Sequence, residues 1–110
     1  MKQWDTFLFP FDVERPHPVV ILSSEERCLN PDLKAVNGIL CTSAETNRGP
    51  RITEIILDET DGLAWKTAVK CDFIHALEKA KFREQRGIVS LERRREIARK
   101  IAFCLRLPIH

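Results

Sequence analysis

Residues 68–77 read Ala-Val-Lys-Cys-Asp-Phe-Ile-His-Ala-Leu. Apolar and polar side chains nearly alternate along this stretch, which predicts one long strand rather than a helix. Working outward, Ile52–Leu57 (ITEIIL) reads as a strand joined to it through the turn Asp58–Gly62 (DETDG). Val36–Thr42 (VNGILCT) is another, set off by the polar loop Ala44–Arg51 (AETNRGPR). Val19–Leu22 is β-branched and almost continuously apolar, the pattern of a buried strand. Trp4–Phe9 is short and aromatic-rich, a first strand, after which Pro10, Pro16 and Pro18 bracket a loop. Ser23-Ser24-Glu25-Glu26 has the hydroxyl and early acids of a helix start, with room only for a short turn before Pro31. Toward the C-terminus, Glu78–Phe82 suits a helical turn and Gly87-Ile88-Val89 a short edge strand. Ser90 then opens the one long helix. Leu91, Ile97, Ala98, Ile101, Ala102 and Leu105 recur at helical spacing, Arg93, Arg94, Arg95, Arg99 and Lys100 fill the other faces, and Pro108 ends it. These elements predict a mainly β chain with helices, an α+β fold. Its core is a small, partly open barrel, with an amphipathic helix at the C-terminus.

The chain has 110 residues, one domain's worth, with 44% hydrophobic and 31% charged residues, the balance of a soluble globular protein. No apolar run reaches the roughly 18 residues of a membrane span, and the opening Met-Lys-Gln-Trp-Asp does not lead into a signal peptide. A cytoplasmic location without membrane attachment is expected. The net charge of +2 is uneven: residues 1–55 hold 6 Lys+Arg against 8 Asp+Glu, residues 56–110 hold 12 against 8. A basic half suits nucleic acid, an acidic protein partner, or a solvated helix face. Cys28, Cys41, Cys71 and Cys104 form no CxxC pair. They read as reduced thiols without a catalytic job, and neither a metal nor another cofactor is expected.

Several residues stand where chemistry is feasible. His17 opens a buried strand between two prolines, and Thr42-Ser43 closes the next one. Lys70 and Asp72 are two apart on the long strand and share a face, while His75 falls on the other face if no bulge intervenes. Arg48 and Arg51 flank Gly49-Pro50 in a loop where guanidinium forks can hold phosphates. RNA cleavage needs no metal when a base takes the 2′-OH proton, an acid protonates the leaving 5′-oxygen, and donors hold the phosphoryl oxygens. Histidine titrates near neutrality and suits either proton-transfer role. Each residue also has a plain structural role: a packed histidine, a turn-starting hydroxyl pair, a cross-strand ion pair.

The order of segments resembles the PemK/MazF-like toxins of bacterial toxin–antitoxin pairs. The resemblance rests on the Trp-bearing first strand, HPVVILSS, ILCTSA, AVKCD and the Ser-capped helix SLERRREI, and it covers nearly the whole chain. It implies an SH3-like barrel, a homodimer, and metal-independent endoribonuclease activity on single-stranded RNA (mRNA), blocked by a cognate antitoxin. Exposed aromatics such as Trp4, Phe9 and Phe11 are candidates for the dimer contact. By the same resemblance Thr42 takes the place of the active-site hydroxyl, and Lys70 and Asp72 are the basic and acidic members of the later strand. Arg48 and Arg51 border the RNA. The chain departs where relatives carry arginine before the second strand's proline. Here His17 precedes Pro18 and Arg15-Pro16 stands two residues earlier, and a later arginine position falls on His75. A protein-binding toxin of the gyrase-poisoning type, or a silent module that binds only its antitoxin, fits the same fold.

Overall fold

The computed structural model describes residues 1–12, 15–44 and 49–108. Six strands form one antiparallel sheet: β1 (Asp5–Phe9), β2 (His17–Ile21), β3 (Ala35–Ser43), β4 (Glu54–Leu57), β5 (Thr67–Glu78) and β6 (Gln85–Ile88). Their order across the sheet is β4-β5-β3-β2-β1-β6. The short helix α1 (Glu25–Leu29) follows β2, and α2 (Leu91–Leu105) ends the fold. No helix among the described residues is long and apolar enough to cross a membrane.

Strand β2 explains its own sequence. Val19, Val20 and Ile21 are all fully buried because each face of the strand carries a core. On one face Val20 packs with Ile39, Cys41, Leu57, Val69, Cys71, Val89 and Ile97, and α2 adds Ile101 and Cys104. On the other, Val19 and Ile21 join Phe9, Val36, Leu77 and Cys28 of α1. A strand covered on both sides reads as a continuous apolar run rather than an alternation. Lys79 donates from Nζ to the carbonyls of Arg27 and Asn30, at 2.6 and 2.8 Å, and so closes the C-terminal end of α1.

The sheet closes through side chains rather than through a strand ladder. After β4 the chain makes a 3₁₀ turn (Glu59–Asp61) that folds back toward β6. Asp61 is fully buried there, its Oδ1 accepting from the Ser90 N–H at 2.8 Å and its Oδ2 from the Asp58 N–H at 3.1 Å. Arg93 of α2 lies 3.5 Å from Asp61 Oδ2 and 3.1 Å from Asp58 Oδ2. Its Nη1 also donates to the Ile56 carbonyl on β4. Gly87 is required at this seam, since a Cβ would run into the Asp61 carbonyl oxygen. The expected partly open barrel, mainly β with a C-terminal helix, is therefore present, and one aspartate joins its turn, edge strand and helix.

Several local expectations shift. β4 begins at Glu54 rather than Ile52, because the Arg51 and Glu54 backbones bond each other at 2.9 Å and hold 51–54 as a turn. The edge strand starts at Gln85, and Val89 instead donates to the Trp4 carbonyl at 2.9 Å. Ser90 is the N-cap of α2, but its hydroxyl makes no capping bond. The aromatics expected outside are mostly inside: Phe9 is buried in the second core, and Trp4 and Phe11 are half-buried against the first and second. The large apolar residues left exposed include Trp65, Phe73, Leu91 and Phe103.

Candidate functional site

Residues that start and end strands meet at one end of the barrel around a cavity of about 690 Å³. Arg15, Pro16, His17 and Pro18 form the wall at the start of β2, and Ser43 and Thr67 stand where β3 ends and β5 begins. Leu63, Ala64 and Trp65 come from the turn before β5, and Arg86 from β6. The described lining holds two arginines and a histidine and no carboxylate, so it favours anions.

His17 is held from outside the cavity. Asp12 accepts from the Arg15 N–H at 2.7 Å and sits 3.7 Å from His17 Nε2, so one carboxylate fixes both the loop and the imidazole. The β2–β3 register pairs Val19 with Leu40 and Val20 with Ile39. Continued two residues, that register sets His17 opposite Thr42. Strand alternation then puts the two side chains on one face, whereas Ser43 turns to the cavity.

His75 reaches the same face through an irregularity in β5. Ile39 pairs with Ile74 but Cys41 with Val69, so the four residues Lys70–Phe73 lie opposite Leu40 alone. Such an insertion reverses the alternation beyond it. His75 pairs with Gly38 and not with the opposite face. A Cβ on Gly38 would strike Val19 Cγ1, which shows that these positions share a side. The His75 ring lies 5.2 Å from Phe11 and 4.6 Å from Phe73, and Phe11 is 6.3 Å from the His17 ring. The two imidazoles therefore belong to one aromatic patch, but only His17 also lines the cavity.

The remaining candidates separate. Lys70 binds the Glu54 carboxylate, whose side chain is fully buried, and Glu54 Oε1 also accepts from the Arg51 N–H at 3.0 Å. Lys70 is three residues past Thr67, about 10 Å along the strand from the cavity's rim. It shares the face of Thr42, since Ala68 pairs with Thr42 and Glu54 with Lys70. Asp72 and Arg51 are exposed, and Arg48 lies outside the described residues. Arg86 and Trp65 were not singled out by the sequence. Arg86 belongs to the basic run Lys79–Arg86, and Trp65 is an aromatic in a polar connection, a placement with no periodicity to mark it.

A family profile described as "PemK-like, MazF-like toxin of type II toxin-antitoxin system" matches residues 2–105. No curated protein matches the sequence. Among solved structures, the chain resembles an endoribonuclease from Mycobacterial species in complex with its cognate antitoxin. That likeness has a TM-score of 0.81 at 20% identity, over 100% of this chain and 99% of the other. It also resembles the Mycobacterium tuberculosis toxin MazF-mt6, with a TM-score of 0.78 at 24% identity over 96% and 99% of the two chains. At these identities the likeness is one of fold.

Proposed function

The chain belongs to the family of PemK-like, MazF-like toxins of type II toxin–antitoxin systems, and from that membership we propose that it cleaves single-stranded RNA without a metal ion. One observation carries the reading: His17 lines a cavity together with Arg15 and Arg86, and the β2–β3 register, extended two residues beyond Val19–Leu40, brings Thr42 opposite it. A strand with its 2′-OH at His17 gains a base for that proton and arginines for its phosphates.

In the proposed step the 2′-oxygen attacks the adjacent phosphorus while its proton passes to His17. The bond to the 5′-oxygen breaks, and that oxygen is protonated by His75 in its charged form or by water. The products are a 2′,3′-cyclic phosphate and a 5′-hydroxyl. The Thr42 hydroxyl donates to a phosphoryl oxygen. Lys70, positioned by Glu54, adds positive charge on the same face, and Asp72 borders it. Arg15, Arg51 and Arg48 bind the flanking backbone. As a member of a toxin–antitoxin family, the chain acts in the cytoplasm as a homodimer controlled by a cognate antitoxin.

The test is incubation of the pure protein with a defined long RNA in EDTA, followed by end mapping. Discrete cuts bearing cyclic phosphates support the proposal. Intact RNA with inhibited gyrase supercoiling would make the chain a protein-binding toxin, and neither effect would make it a silent antitoxin-binding module.

A further inference from the structure

The cavity lining includes an aromatic side chain and an arginine, Trp65 and Arg86, that the cleavage step does not use. Trp65 is 67% exposed although it is among the largest apolar side chains of the fold. It lines the cavity together with Arg15 and Arg86, which approach from β2's entry and from β6. The segment carrying it is fixed at both ends. Thr67 donates from its hydroxyl to the Trp65 carbonyl at 3.0 Å, and the Asp58–Asp61 turn is pinned to Ser90 and Arg93. Leu63 between them is buried in the core. The indole is therefore presented by an ordered frame, which lowers the entropy lost when something stacks on it.

We infer that Trp65 is a stacking platform for an unpaired nucleobase, a purine in preference to a pyrimidine, with Arg15 and Arg86 holding the phosphates on either side of it. This deepens the RNA reading and rests on it. A flat aromatic wall flanked by cations and without acids suits a single-stranded nucleotide better than an apolar peptide, whose binding gains nothing from the arginines. The volume lies within the range of small-ligand sites. Arg86 is engaged with Glu84 at 3.3 Å, but both groups are well exposed. An exposed pair of this kind is worth little, so a phosphate can replace Glu84. Stacking reads a π-face rather than a hydrogen-bond pattern, and the larger purine face gives the preference. The platform thus biases which base sits near the cleaved bond, while His17 acts on the sugar.

Indole fluorescence tests it with an RNA oligomer made uncleavable by 2′-deoxy substitution. Matched oligomers place adenine or cytosine at the site. The wild type should show quenching on binding, stronger and tighter with adenine. Trp65→Phe, which keeps a ring, should stay within a few-fold of wild-type affinity. Trp65→Ala should lose roughly 5- to 100-fold, the scale of one stacked base. Residual emission from Trp4 in the Trp65→Phe protein reports whether the fold is intact. Unchanged affinity in Trp65→Ala, no adenine preference, or no quenching by any oligomer would overturn the platform. Because the oligomer cannot be cut, quenching in a protein that never cleaves RNA would refute the nuclease and leave the platform standing. Normal cleavage with unaltered binding by Trp65→Ala would do the reverse.

Discussion

Lys70 read alone is a cation on a strand, but in the fold its ammonium is bound to a carboxylate that has no contact with solvent. Buried groups of this kind behave as pairs, and the same logic is sharpest at Asp61. Its side chain receives two backbone N–H groups and faces Arg93, so truncation leaves two donors without partners and Arg93 with only Asp58 and the Ile56 carbonyl. Asp61→Ala should destabilise the protein by about 2–4 kcal/mol in urea unfolding, the scale of two N–H groups left unpaired together with a weakened ion pair. A loss under 1 kcal/mol would mean that the seam is not held there. The thiols make a second residue-scale prediction. Burial pushes Cys71 up to about 12 and Cys41 higher still, so neither is a thiolate at neutral pH. A raised folded value stabilises below the unfolded thiol range and loses that contribution as pH rises through it. Stability should therefore fall from about pH 9 toward 12. Cys71→Ala should show a flatter alkaline limb, and an identical limb would contradict the assignment.

At the scale of elements, legibility followed periodicity. α2 was readable from its spacing, and its energetics follow from which face is buried. Ile97 is fully buried and Leu91 is 73% exposed on the same helix. Ile97→Ala should cost about 2–5 kcal/mol and Leu91→Ala within about 0.5, measured side by side by denaturation. Equal costs would mean the helix docks by another face. The strand 67–78 was legible from its near alternation, but its irregularity opposite Leu40 was not. A bulge is set by the partner strand's register, and nothing local in AVKCDFIHAL announces it. That single irregularity decides that His75 shares a face with Lys70. The Asp61 seam was illegible for a related reason: its partner Ser90 is 29 residues away. His17, Thr42 and Arg15 were visible as strand-end residues, whereas Trp65 joined them only through tertiary closure.

Across the whole molecule, the excess of positive charge in the second half resolves into two uses. Arg93 is spent internally on Asp58, Asp61 and Ile56, while Arg86 crosses to the cavity wall to meet Arg15 from the acidic half. Charge counted by sequence halves thus does not locate the cation-lined cavity, which draws one arginine from each half. If Arg15 and Arg86 each hold a phosphate, replacing both with Ala should weaken RNA binding. It should also make the slope of log affinity against log salt shallower by about 1.4, at roughly 0.7 per phosphate on a single strand. An unchanged slope would place the RNA elsewhere, with the basic face of α2 the next surface to test.

The account turns on His17 as the group that moves a proton where relatives are expected to carry arginine, and the pH dependence of RNA cleavage in chelator tests that most directly. Single-turnover rates for the wild type should change with pH, since a general base must be unprotonated to take the 2′-OH proton. His17→Ala, folded as judged by its thermal transition, should be about 10²–10⁴-fold slower. A flat profile between about pH 5 and 9, or a His17→Ala protein as fast as the wild type, would contradict the account.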